Sequence, residues 1–246
     1  MSEPAATHDP SIRVEVWFDV RCPWCFLGKR RLERAIEVFE ADEPGIPVMV
    51  THHSFELAPG IPERFDGSEA EYLLRYEGVP LEQSARTLPA LRELAAAEGV
   101  VLRFDELVEV NTRRAHRVFQ YGKAQGMGEE LLDRLFRAYF TECRDLADPE
   151  TLAALAAEAG LDREEALLAA GGSSGAQGPA EIERAAVEAV RWDRAVEKDD
   201  VRARMLGASG VPYALVNAKY RISGAQRAEV FAGALHEVAR RDFSVG

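Results

Sequence analysis

Segments with the β-branched and aromatic make-up of strands lie mainly near the two ends of this 246-residue chain. RVEVWFD (13–19) and VMVTHHSF (48–55) stand near the start, YALV (213–216) and KYRI (219–222) near the end. Between them, from about Ser68 to Val190, the pattern is nearly all helical and rich in Ala, Leu and Glu. The topology reads β-α-β, then a helical block of roughly 120 residues, then β-β-α. Removing the block leaves a compact α/β unit of about 100 residues. The expected division is a lead-in over 1–10, a discontinuous α/β domain from 11–62 plus 191–246, and a helical insertion over 63–190.

Local signals place the elements. From Pro23 to about Glu40, Trp24, Leu27, Leu32, Ala35, Ile36 and Phe39 recur at spacings of three and four, and Pro23 suits a first helical turn. The strand that follows makes a β-α-β unit with parallel strands. In the block, Ser68 with Glu71 forms a capping box, and Pro80 starts a helix. Residues 100–104 read as a short extended piece, and Asn111 or Thr112 caps the next helix. Gly128–Cys143 is helical with Leu131, Leu132, Leu135, Phe136 and Tyr139 on one side, which makes Cys143 a buried free thiol. Asp148-Pro149 and Asp162 with Glu165 start two more helices. GGSSGAQG (171–178) is a loop, and a long helix runs from Pro179 towards Leu206. After a tight turn at Asn217-Ala218, Ser223 with Gln226 makes a capping box for a last helix, Arg227 to Arg241.

Charge narrows the partners. With 42 acidic and 30 basic residues the net charge is −12, which disfavours nucleic acid and anionic membrane surfaces. No apolar run approaches the roughly 20 residues of a membrane span. MSEPAATHDPSIR lacks the basic start and apolar core of a secretory signal, so a cytoplasmic protein is expected.

Only three cysteines are present, too few for a disulfide scaffold. Two of them form Cys22-Pro23-Trp24-Cys25, between the first strand and the first helix. As a redox couple, the pair needs an attacking thiolate and a second thiol one turn away. A sulfur at a helix N-terminus sits among unpaired N–H groups, whose partial positive charge favours the thiolate. Cys25, one turn in, is the natural resolving thiol, and Trp24 would lie exposed beside the sulfur. Glu15, Asp19 and Arg21 flank the pair with opposing charges. A structural zinc needs four ligands. His52 and His53 point to opposite strand faces, so at most one could join Cys22, Cys25 and Cys143, and no metal site is expected. Two cysteines merely packed in the core are the remaining alternative, against which the Pro-Trp insert argues.

A second constellation is Ser209-Gly210-Val211-Pro212-Tyr213. Pro212 is either an ordinary loop proline or a cis one, and composition does not decide between them. The topology brings this loop beside the start of the first helix.

Cys22-Pro23-Trp24-Cys25 after Phe18-Asp19, with Gly210-Val211-Pro212 before a hairpin, resembles the thioredoxin superfamily. The large insertion resembles its DsbA-like branch. CPWCFLGKRRLE (22–33), FELAP (55–59), Asn111-Thr112 with Ala115-His116-Arg117, and the closing YRISGAQ (220–226) are similar to the FrnE subfamily. The resemblance implies an α/β thioredoxin fold interrupted by an all-helical insertion. It implies a thiol–disulfide oxidoreductase with Cys22 attacking and Cys25 resolving, acting on proteins that carry thiols or disulfides. It further implies that Pro212 is cis and that the Val211 backbone pairs with the substrate chain as an added strand, with Pro23 and Trp24 beside it. No cofactor beyond the Cys22–Cys25 pair is implied, and glutathione or a reductase is the expected redox partner. His52-His53-Ser54 departs from the Trp/Arg-Pro type run of such relatives.

The same fold family holds kappa-type glutathione transferases and 2-hydroxychromene-2-carboxylate isomerases, which carry serine at the attacking position. A glutathione-dependent isomerase or transferase is therefore the runner-up, and a non-catalytic binding module the third reading. Gly224-Ala225-Gln226, where such relatives hold glutathione, is also explained by simple capping. His116 reads as a satisfied core or surface histidine.

Overall fold

The computed structural model describes residues 11–173 and 178–243; the expected lead-in over 1–10 lies outside them. In chain order the regular elements are β1 (Ile12–Phe18), α1 (Pro23–Asp42), β2 (Val48–Ser54), β3 (Arg64–Phe65), α2 (Glu69–Tyr72), α3 (Leu81–Ala96), β4 (Glu109–Val110), α4 (Arg113–Ala124), α5 (Gly128–Phe140), α6 (Pro149–Glu158), α7 (Arg163–Ala170), α8 (Pro179–Met205), β5 (Tyr213–Val216), β6 (Tyr220–Ser223) and α9 (Ala228–Asp242). A π-helical turn, Leu73–Glu77, extends α2, and a 3₁₀ turn covers Phe104–Glu106.

The main sheet has the order β2-β1-β5-β6. β1 runs parallel to β2, from Ile12 opposite Val48 to Phe18 opposite Ser54. On its other edge β1 pairs antiparallel with β5, Val14 opposite Val216 and Trp17 opposite Tyr213. The central strand thus joins both ends of the chain. Its period-2 alternation sorts the faces. Ile12, Val14 and Val16 pack with Leu32, Ala35 and Phe39 of α1 and Phe231, Leu235 and Val238 of α9. Trp17 points to the opposite face, with Tyr213, Leu215, Phe55 and Ala203 of α8.

The insertion closes on a third core built from α3–α7, in which the five apolar positions expected on α5 are all buried. This core does not stop at the insertion. Phe18, Val20, Cys22, Cys25, Phe26 and Leu27 belong to it. Position 190, the expected boundary between block and sheet unit, falls inside α8, which is continuous from Pro179 to Met205. Ala185, Ala189, Trp192, Val196, Asp199 and Ala203 give this helix one buried stripe along its length.

Several local expectations are met: Ser68 and Glu71 cap each other, Asp148 accepts from Thr151 N–H at 3.0 Å, and Asp162 accepts from Glu165 N–H at 2.9 Å. Others are corrected. Residues 100–104 form no strand; Val100 and Leu102 are buried in irregular backbone that enters the 3₁₀ turn. The two-residue ladder between β3 and β4 is too short to carry a periodic signal in the sequence. Gln226 donates to the Ser223 carbonyl at 2.8 Å instead of capping, and α9 begins at Ala228. Helix α5 ends at Phe140, and the chain reverses through Cys143 at φ 54°. The Arg144 N–H closes that turn on the Ala138 carbonyl at 2.8 Å, which leaves Cys143 half-buried rather than in the core.

Candidate active site

The turn between β1 and α1 sets the position of the thiols. Cys22 is the N-cap of α1 with extended backbone, and Pro23 takes the first helical position. The Cys22 N–H donates to the Asp19 carbonyl at 3.1 Å, and the Cys22 carbonyl accepts the Cys25 N–H at 2.9 Å. The Cys22 side chain makes no capping hydrogen bond. Its Sγ instead lies 3.6 Å from the Val211 carbonyl oxygen, within reach of a weak S–H donation. Both cysteines are free thiols, 4% and 3% exposed. Trp24, at 42%, is the exposed member of the quartet.

The Val211–Pro212 peptide is cis. Pro212 is buried, and its carbonyl accepts the Gly224 N–H at 2.8 Å. Gly28, one turn past Cys25, allows this loop to sit close: a Cβ there would lie 3.1 Å from Pro212 Cγ. The structure therefore brings Cys22, Cys25, Val211 and Pro212 together across almost the full length of the chain.

Beneath the thiols lies a carboxylate that the sequence marks only as flanking charge. Asp19 is fully buried. It accepts the Leu57 N–H at 2.8 Å and the Arg21 N–H at 3.3 Å, and lies 3.3 Å from His116 Nε2. Burial by itself would raise this carboxyl; the hydrogen bond and charge of His116, the Leu57 N–H and Arg21 outweigh it and hold it below the usual range. His116 is fully buried against the Phe18 ring. It is a core histidine, and it does face the motif through Asp19. Burial pushes the Cys25 thiol well up, and its hydrogen bond to Cys22 and the charge of Cys22 add to that.

Arg21 carries a second buried cluster. Its guanidinium lies 3.4 Å over the Tyr72 ring and 2.8 Å from Glu109, with Glu69 at 3.6 Å and Glu77 at 3.8 Å. Tyr139 donates to Glu109 at 3.1 Å. Burial, then the neighbouring Glu109, pushes the Glu69 carboxyl well up. All four partners come from the insertion or its edge. The only sequence signal for either cluster is two charges, Asp19 and Arg21, set in an apolar run.

Other candidates fall elsewhere. His52 and His53 point to opposite faces: His52 pairs with Glu129, while His53 pairs with Asp199 at 2.9 Å and Glu15 at 3.2 Å. Glu15 lies on that same far face, bound by Arg202, so it does not flank the thiols. The Ala225 carbonyl accepts from Arg31 at 2.6 Å. Asn111 accepts from the Arg113 N–H at 2.9 Å, and Arg113 binds Glu56 and Asp193.

The sequence matches the DSBA-like thioredoxin domain over residues 13–236. The chain belongs to that family. Its fold is the DsbA-like thioredoxin fold with a helical insertion. It is similar to a probable DsbA oxidoreductase, SCO1869 from Streptomyces coelicolor: 33% identity, TM-score 0.79, over 96% of this chain and 93% of the other. A 2-hydroxychromene-2-carboxylate isomerase shares the fold at 19% identity and TM-score 0.65, over 95% and 100% of the two chains. The uncharacterized protein YwbO of Bacillus subtilis (strain 168) is 28% identical over 156 residues, 62% of this chain and 68% of YwbO. Among the described residues no helix is long and apolar enough to cross a membrane.

Proposed function

We propose that this member of the DsbA-like family is a thiol–disulfide oxidoreductase that exchanges disulfides with protein substrates through Cys22 and Cys25. The observation that carries the reading is the placement of Cys22 Sγ. It stands uncapped at the helix start, 3.6 Å from the Val211 carbonyl, with a second thiol one turn behind. Cys22 is the attacking sulfur, and Pro23, Trp24, Val211 and Pro212 form the surface where a substrate backbone lies alongside it.

In the reducing direction the Cys22 thiolate attacks one sulfur of a substrate disulfide. A Cys22–substrate disulfide forms, and the other substrate sulfur leaves as a thiolate that takes a proton from solvent. Cys25 then loses its proton and attacks Cys22. The Cys22–Cys25 disulfide forms, the second substrate sulfur leaves, and two electrons have passed to the substrate. Oxidation is the reverse. The raising of Cys25 fits this order. Burial keeps its proton on while Cys22 is a thiolate, and part of that hold, the Cys22 hydrogen bond and charge, disappears once Cys22 is bonded to substrate. Glutathione is proposed as the co-substrate that resets the pair, in the cytoplasm, where thiols are kept reduced.

The test is insulin-disulfide reduction with Cys22→Ser and Cys25→Ser. Cys22→Ser should abolish turnover, and Cys25→Ser should accumulate a mixed disulfide visible on a non-reducing gel. Turnover that survives Cys22→Ser overturns the proposal. Glutathione-dependent conversion of a small molecule that survives Cys25→Ser would instead favour an isomerase or transferase.

A further inference from the structure

Helix α8 has two faces. The inner stripe is buried in the fold, and among the described residues no element covers the outer one. That outer face repeats at the same spacing of three and four: Val187, Val190, Arg194, Glu197, Val201 and Met205. The four apolar members are 60%, 50%, 56% and 83% exposed. A surface helix spends such positions on polar residues unless something covers them. The stripe divides into two shallow grooves of about 410 and 500 Å³, one around Val187 and Val190, the other around Val201 and Met205; Arg194 lines both.

We propose that this face pairs with the same face of a second copy of the chain, the two α8 helices running antiparallel about a two-fold axis between Arg194 and Glu197. The charge pattern selects that occupant and that direction. In the antiparallel register Val190 meets Val201 of the other copy, Met205 meets Ala186, and Arg194 meets Glu197, each contact made twice by symmetry. The groove at one end of the stripe receives the side chains of the other end. A parallel pair would set Arg194 against Arg194 and Glu197 against Glu197. The groups are ready for the contact. Arg194 has no ion pair among the described residues, and Glu197 is 61% exposed with only Oε1 engaged, by Arg113 at 2.7 Å.

From Val187 to Met205 the contact runs about 27 Å at 1.5 Å per residue. A strip of that length and about 10 Å width covers roughly 300 Å² per partner, below the ~800 Å² of a standard interface. The dimer is therefore reversible and dependent on concentration, and the net charge of −12 opposes it at low salt.

Sedimentation velocity of the full chain, from low to several hundred micromolar at physiological salt, tests this. The wild type should move from one to two copies across the series. Arg194→Glu and Glu197→Arg should each weaken association by about tenfold or more, since each sets like charges together twice. An equimolar mixture of the two variants should dimerise again. In the mixed pair the new glutamate of one variant faces the new arginine of the other, and the native Glu197 faces the native Arg194. Val201→Asp, on the outer face at 56% exposure, should abolish dimerisation with its circular dichroism unchanged. It serves if Glu197→Arg, beside Arg113, fails to fold. A wild type that stays monomeric overturns the proposal. So does a dimer indifferent to Val201→Asp, or a mixture that stays monomeric when both variants are folded. Insulin reduction is unaffected by Val201→Asp, so failure here is separable from failure of the redox reading.

Discussion

Replacing Asp199 with Asn should unfasten α8 from the sheet, and the structure gives the size of the effect. One Asp199 oxygen lies 2.9 Å from His53 Nδ1. The other accepts the Ser54 N–H at 3.1 Å and Gln120 Nε2 at 2.7 Å, with Lys123 Nζ at 3.5 Å. Burial would raise this carboxyl; the His53 hydrogen bond and charge, Lys123 and Gln120 bring it down from 3.8 to about 2. A carboxyl whose folded pKa lies below its unfolded value stabilises the fold above the unfolded pKa, and that stabilisation is lost as pH falls through the folded one. The gap is worth about 2 kcal/mol at neutral pH. Asn approximates the protonated carboxyl, so Asp199→Asn should lower Tm by roughly 4–8 °C at pH 7 for a chain of this size. The wild type and variant should converge as the pH is taken from about 4 to about 2, where the wild type loses the charge as well. Urea unfolding at stepped pH measures both curves. A difference at pH 7 under about 0.5 kcal/mol, or one that does not shrink in acid, refutes the assignment of the low carboxyl to these partners.

Three other substitutions probe the site itself. Glu69→Gln should stabilise the protein at neutral pH. The raised Glu69 carboxyl contributes fully below its unfolded value of 4.5 and less as pH rises through its folded one, so calorimetry should show the gain vanish in acid. Asp19→Ala leaves His116, the Leu57 N–H and Arg21 N–H without their acceptor and should cost about 3 kcal/mol or more by chemical denaturation. A loss under about 1 kcal/mol would mean that water replaces the carboxylate. Gly28→Ala sets a methyl 3.1 Å from Pro212 Cγ and should cost about 1–3 kcal/mol while slowing insulin reduction, by moving the Val211 carbonyl from Cys22. Unchanged turnover would show that the loop yields without consequence.

What can be read in the sequence and what cannot divide along one line. Cys22-Pro23-Trp24-Cys25 is a local pattern: strand, punctuation and helix start are adjacent residues whose meaning needs no distant partner. The same holds for Asp148 and Asp162 as caps and for the apolar side of α5. Val211-Pro212 becomes legible only through topology, since two strands at each end of the chain have to share a sheet. The Asp19–His116 and Arg21–Glu109 contacts span 97 and 88 residues, and no periodicity marks a charge that will be buried by a partner so far away. Cys143 escapes a pattern reading because its neighbours keep a helical spacing through a helix end that only backbone closure reveals. The Ser223–Gln226 box satisfies a pattern, but the Gln226 side chain is taken by the Ser223 carbonyl and the helix starts later, at Ala228.

The register Val14 opposite Val216 has a consequence for how the chain is made. A ribosome adding about 5–20 residues per second needs roughly 10–40 s to travel from β1 to β5. Through that interval the middle strand of the finished sheet is an edge strand, its backbone N–H and C=O groups open to any passing chain. Arg13 and Glu15 are the charged side chains on that strand, and they alternate with the apolar Ile12, Val14 and Val16 that an unpaired edge leaves uncovered. A nascent chain halted at Pro212 should accordingly aggregate or recruit chaperones, where one released beyond Ser223 stays monodisperse at low concentration.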